Sequence, residues 1–182
     1  FAKWELLLVD NASDEPLADR WDLDWHPYAR HLREEELGLT PARLAGIEAA
    51  AAPVLVFVDD DVVLSPDYLA GALEIAETWP ILGAWGAGRA EGRFETEPPG
   101  WARPYLPWMA VFREERVIWS NIVNGSPTVP VGAGLCVRAE VAREYRRHVV
   151  ADSARRRLDR RGAQLLSAGD SDLAYTACDL GL

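Results

Sequence analysis

Residues 4–9 (WELLLV) form an apolar run ending on Asp10 and Asn11, and residues 54–58 (VLVFV) form a stronger one ending on Asp59, Asp60 and Asp61. Short apolar runs of this kind predict strands covered on both faces, the pattern of a parallel sheet between helices. Asp14-Glu15-Pro16 predicts a turn, and residues 29–34 a weaker strand. Thr40 as N-cap and Pro41 at the first helical position open an alanine-rich helix that ends before Pro53. Ser65-Pro66-Asp67 caps another helix, which stops before Pro80. Strand, helix, strand, helix is the order of βαβ units with right-handed crossovers. In such sheets ligands bind beyond the carboxyl ends of the strands, so Asp10-Asn11 and the aspartate triplet are expected at one rim.

Residues 83–130 break this pattern. Gly86, Gly88, Gly92, Pro98, Pro99, Gly100, Pro104 and Pro107 alternate with Trp101, Tyr105, Trp108 and Trp119. That composition predicts an irregular loop region with aromatic anchors. Residues 131–137 (VGAGLCV) predict a strand with a glycine entry, and residues 139–148 a helix. Residues 152–161 read as a charged helix or solvated loop, and Leu165-Leu166 lead to a last helix opened by Asp170. No repeat and no domain boundary is visible.

The chain has 182 residues, of which 49% are hydrophobic and 26% charged, enough for one domain with a real core. The formal charge of -10 disfavours general nucleic-acid binding but leaves anionic ligands open, because a bound cation inverts the local charge. Lys3 is the only lysine. Cys136 and Cys178 are too few for a disulfide framework or a cysteine-rich zinc site, and His26, His31 and His148 lack metal-ligand spacing. No run is long enough to span a bilayer. The chain opens on Phe1, not Met, and is expected to be a fragment lacking upstream sequence.

Three clusters could carry chemistry. Adjacent carboxylates at residues 59–61 repel one another, and a hard divalent cation such as Mg²⁺ or Mn²⁺ would remove that penalty; the alternative is a helix-capping turn facing water. Asp10-Asn11-Ala12-Ser13 reads equally well as an Asx turn closing a strand. Asp170 in Gly169-Asp170-Ser171-Asp172 is either an N-cap or a general base at a strand-to-helix junction. Trp101 and Trp108 offer flat faces for sugar rings, although aromatics among prolines more often form a minor core. Gly132-Ala133-Gly134 would let backbone approach a substrate closely, or mark a bulge.

Taken in order, VDNAS, GLTPARLAGI, FVDDDVVLSPDYL, VGAGLCVR and SAGDSDLA resemble the family 2 glycosyltransferases of GT-A fold. The resemblance implies an α/β domain with a Rossmann-like, mostly parallel sheet flanked by helices. It implies a donor half over about residues 1–90 and an acceptor half over about residues 91–182. It points to Asp10 on the nucleotide base, with Asn11 and Arg43 also on the donor. It puts Asp60 or Asp59 toward the ribose, and Asp61 with Asp59 on the metal. The late acidic motif maps the catalytic base onto Asp170. Trp101, Trp108, Gly134 and Asp172 are the acceptor-side candidates, Asp172 mattering less because it points elsewhere on its helix.

The chain departs from the family in three places. The family's first strand is absent and is expected to run between or beside residues 4–9 and 54–58; finding those two segments in different sheets would contradict the GT-A arrangement. Leu44 replaces the Asn usual after Ala-Arg. Gly169 stands where a Glu usually precedes the base. The chain also stops at Leu182, before helices that often complete the acceptor site.

The implied reaction is metal-dependent, inverting sugar transfer from a nucleotide-diphosphate sugar to a hydroxyl of a glycan or lipid-linked acceptor, in polysaccharide or other glycan synthesis. The expected location is the cytoplasm, at the inner face of the membrane for the full-length protein. Two other readings stand beside it. Asp59-Asp60-Asp61-Val62-Val63 fits the nucleophile loop of a haloacid-dehalogenase-type phosphohydrolase, which leaves VDNAS and GLTPARLAGI unexplained. A non-catalytic nucleotide-sugar-binding domain would account for the missing strand and Glu. Gly86-Ala87-Gly88 lacks the rest of a dinucleotide fingerprint.

Overall fold

The computed structural model of the chain describes residues 4–123, 128–160 and 166–182, so the readings at Lys3, Arg161 and Leu165 lie outside the described residues. In chain order the elements are β1 (Leu6–Asn11), β2 (Ala29–Glu34), α1 (Leu39–Ala49), β3 (Val54–Val56), α2 (Tyr68–Thr78), β4 (Ala84–Trp85), β5 (Arg89–Ala90), β6 (Phe112–Arg113), β7 (Cys136–Arg138), α3 (Ala139–Ala151) and α4 (Gly169–Asp179). The expected helices are present. Thr40 does not cap α1; Gly38 occupies that position and makes no side-chain cap. Residues 155–157 form a single 3₁₀ turn within the charged segment. Among the described residues no helix is long and apolar enough to cross a membrane.

The strands form three hydrogen-bonded sheets. β1 and β2 pair in parallel, from Leu6 opposite Ala29 to Asn11 opposite Glu34. β3 pairs antiparallel with β7, Val54 opposite Arg138 and Val56 opposite Cys136. β4 flanks β7 on its other edge, also antiparallel. β5 and β6 make a two-stranded antiparallel ribbon.

This corrects the expected single, mostly parallel sheet. The two apolar runs lie in different sheets, which is the arrangement that contradicts a continuous GT-A sheet within the described residues. β3 exchanges its hydrogen bonds with antiparallel β7, β1 exchanges its own with β2, and no described strand bridges the two pairs. The apolar run at β3 reports burial on two faces, and burial carries no information about strand direction.

That two-sided burial is explicit in the packing. Leu55 and Phe57 from β3 and Leu135 and Val137 around β7 meet Leu44 and Ile47 of α1, Val141, Tyr145 and Val149 of α3, and Leu173 of α4. The alternate residues Val54, Val56 and Cys136 face the other way, onto Tyr68, Ala72 and Ile75 of α2. This period of two puts one helix layer on each face of the β3-β7-β4 sheet. Pairing continues past β3: Phe57 N–H donates to the Leu135 carbonyl at 2.8 Å, and Gly134 N–H to the Phe57 carbonyl at 3.0 Å. The sheet therefore delivers Asp59 beside the glycine entry of β7.

Candidate functional site

At the end of β1, Asp10 is buried and fully engaged. Its Oδ1 accepts Ser13 N–H at 3.0 Å, and its Oδ2 accepts Leu17 N–H at 3.0 Å and Arg33 Nη1 at 2.7 Å. The bonds from Ser13, then Leu17 and Arg33, hold its carboxyl well below the usual range against the opposing effect of burial. Asn11 donates to the Glu34 and Glu36 carbonyls at 3.2 and 2.7 Å and accepts Gly38 N–H at 2.8 Å. Both residues thus tie β1 to β2 and to the entry of α1.

The aspartate triplet follows β3 in a turn closed by Val62 N–H on the Asp59 carbonyl at 3.1 Å. Asp60 and Asp61 are exposed and Asp59 is half-buried. Burial pushes the Asp59 carboxyl up, Arg43 opposes this, and Asp61, Asp60 and Asp170 add to it. Asp170 lies in the first turn of α4. Its Oδ2 accepts Gly132 N–H at 3.0 Å and its Oδ1 accepts Ser171 N–H at 2.9 Å. One oxygen is thus engaged in the first turn of its own helix and the other on the glycine loop. An ionised carboxylate offers about four acceptor directions, so both oxygens keep capacity for a further proton donor.

Arg43 and Asp159 form a buried ion pair beneath this group, Nη1 to Oδ2 at 2.8 Å, with side chains only 6% and 3% exposed. Thr40 Oγ1 donates to the same oxygen at 3.0 Å, and Gly169 N–H donates to Asp159 Oδ1 at 2.9 Å. Arg43 Nη2 reaches Gly132: a Cβ added there would meet Arg43 Nη2 and Asp170 Oδ2, each at 3.2 Å. Arg43, Gly132, Asp159 and Asp170 are one cluster. The sequence reading missed Asp159, because a lone acid among Arg155, Arg156, Arg157 and Arg160 looks like part of a solvated segment.

The remaining candidates are dispersed. Gly134 adopts φ +83° and its carbonyl accepts the Tyr68 hydroxyl; a side chain there would run into that hydroxyl. Asp172 lies toward Arg155, 3.5 Å away, and its Oδ2 has no hydrogen-bond partner among the described residues. Burial raises its carboxyl, opposed by Arg155 and His148. Trp101 and Trp108 are 76% and 89% exposed, so the aromatics of this loop are not a minor core.

Among the described residues no group of three or more acids, histidines or cysteines is arranged to hold a metal ion. Asp59 and Asp61 still fit a hard cation chemically: Mg²⁺ takes one or two carboxylates and completes its shell with water and substrate phosphates. The upward shift of Asp59 among neighbouring acids is also what a cation would relieve.

A family model, glycosyl transferase family 2, matches residues 1–129. The chain belongs to the family 2 glycosyltransferases. Membership implies a nucleotide-sugar donor and an acceptor. The matched region contains Asp10, Arg43 and the triplet; Asp159 and Asp170 lie beyond it. Comparison with curated proteins and with solved structures finds no match.

Proposed function

We propose that this glycosyltransferase domain moves a sugar from a nucleoside-diphosphate sugar to an acceptor hydroxyl with inversion, with Asp170 as the base. The observation that carries the reading is the Asp170 carboxylate, held by Gly132 N–H at 3.0 Å at the glycine entry of β7, where Arg43 Nη2 also approaches. A base in that position takes the proton of the attacking hydroxyl as displacement proceeds. Asp59 and Asp61 would hold a Mg²⁺ or Mn²⁺ ion, which when bound neutralises charge developing on the leaving diphosphate. Asp60 is assigned to the ribose, Asp10 and Asn11 shape the donor end of β1, and Arg43 supports the floor beneath Asp59.

The exposure of Trp101 and Trp108 supports an acceptor role for that loop, since flat apolar faces stack on sugar rings. Gly134 is assigned a backbone contact on the acceptor side, and Asp172 a minor acceptor contact. The division into a donor half over about residues 1–90 and an acceptor half over about residues 91–182 belongs to the same proposal. A glycan or lipid-linked hydroxyl as acceptor, and action at the inner face of a membrane, complete the reading.

The test is transfer by Asp170→Asn and Asp172→Asn. Asp170→Asn should keep donor binding and lose roughly 10²–10⁴-fold in transfer. A larger loss in Asp172→Asn would assign the base to Asp172, and no loss in either would remove it from this motif.

A further inference from the structure

Asp159 is a buried acid that the proposed reaction does not use. Its carboxylate joins three elements: Arg43 and Thr40 of α1, the turn after residues 155–157, and the first N–H of α4 at Gly169. Its location is unusually specific. A Cβ built on Gly169 would lie 2.1 Å from Asp159 Oδ2, 2.4 Å from Cγ and 2.7 Å from Oδ1. The carboxylate of residue 159 therefore fills the space into which a side chain on residue 169 would grow.

The consequence reaches Asp170 by two short routes. Gly169 N–H is anchored by Asp159, and the next residue is Asp170. Arg43 is held through Nη1 by Asp159 while its Nη2 lies against Gly132, whose N–H holds Asp170 Oδ2. Asp159 also occupies the Arg43 guanidinium, whose Nη2 and Asp170 Oδ2 border the same space at Gly132. Without that partner, Arg43 would be drawn toward the Asp170 carboxylate.

We propose that Asp159 is a positioning residue, supplying from a distant point in the chain the carboxylate that clamps Arg43 and the first turn of α4 and so sets Asp170 against Gly132. This rests on Asp170 being the base for its effect on rate, but not for its effect on geometry. The carboxylate is needed at this place, and which residue delivers it is secondary, so it should be transferable. Asp159→Ala combined with Gly169→Glu removes the obstructing group and returns an acid from residue 169 itself.

Two readouts separate the possibilities. Amide hydrogen exchange at Gly132 reports the Asp170 hydrogen bond without reference to activity. Transfer kinetics report the base; a misplacement of this kind costs about 10–100-fold in kcat, with the donor KM little changed. Asp159→Asn, which keeps the side-chain volume, should lose Gly132 protection and kcat together. The Asp159→Ala/Gly169→Glu double variant should recover both relative to Asp159→Ala. Unchanged Gly132 protection in Asp159→Asn, or a double variant no better than Asp159→Ala, would overturn the proposal. Lost protection with unchanged kcat, in a protein where Asp170→Asn also leaves kcat unchanged, would uphold the clamp and reject Asp170 as the base. Should Asp159→Asn fail to fold, recovery of fold and Gly132 protection in the double variant still supports the clamp, and failure there too rejects it.

Discussion

Removing both partners of the Arg43–Asp159 pair should destabilise the domain by much less than the two single removals added together. The pair is almost wholly buried, and among the described residues Thr40 and Gly169 are the other hydrogen-bond partners of Asp159. Arg43→Met leaves a buried carboxylate with two neutral donors, and Asp159→Leu leaves a buried guanidinium beside Gly132. Breaking a buried pair from one side costs about 3–5 kcal/mol. For a domain of this size each kcal/mol moves Tm by about 2–4 °C, so each single variant should melt about 6–20 °C lower. The double variant buries no lone charge. It leaves Gly169 N–H and the Thr40 hydroxyl without their acceptor, at about 1–3 kcal/mol for a buried orphaned group. Asp159→Leu alone orphans the same two groups, so the double variant should melt no lower than Asp159→Leu although it carries both substitutions. Thermal unfolding by circular dichroism on the four proteins gives the coupling directly. Single-variant losses below 2 °C, or losses that simply add in the double, would refute the reasoning.

Two further outcomes follow from the same geometry. Asp10→Asn should lower Tm at neutral pH: bonds from Ser13, Leu17 and Arg33 hold the folded carboxyl below its unfolded value, so its stabilisation is present above pH of about 3.9 and disappears as pH falls through the folded value. Melting curves of wild type and variant should converge in acid, and a deficit that persists unchanged there would contradict the assignment. Gly132→Ala should cost about 1–3 kcal/mol, because its Cβ would crowd Arg43 Nη2 and Asp170 Oδ2, and it should slow transfer more than donor binding; equal effects on both would argue against a local displacement of Asp170.

Element positions were readable where local chemistry decides them. Pro53, Ser65-Pro66-Asp67 and Pro80 bracket α1, β3 and α2 as the punctuation of the chain predicts. Strand direction was not readable. VLVFV reports that β3 is covered on both faces, and an antiparallel strand between α2 and the α1–α3–α4 layer satisfies that as well as a parallel one. The position of Asp170 in the first turn of the last helix was legible from the Ser167-Ala168-Gly169 junction before it. Asp159 was not, since its burial depends on Arg43 and Gly169, more than a hundred residues and ten residues away in the chain respectively. Thr40 was misread for the same reason: its hydroxyl has a tertiary acceptor in Asp159, which outcompetes a local cap.

The most direct test of a metal-assisted sugar transferase is a thermal-shift panel of nucleoside-diphosphate sugars with and without Mn²⁺, on wild type and Asp61→Asn. A ligand at 100 times its Kd adds about 2.7 kcal/mol to the folded state. At about 2–4 °C per kcal/mol that is a rise of roughly 5–11 °C. The account predicts such a rise for at least one donor in wild type, only with Mn²⁺, and its loss in an Asp61→Asn protein that melts normally without ligand. A rise that is the same without metal, or that survives in Asp61→Asn, would contradict the assignment of the metal to Asp61. No rise for any donor would contradict the transferase account of this chain.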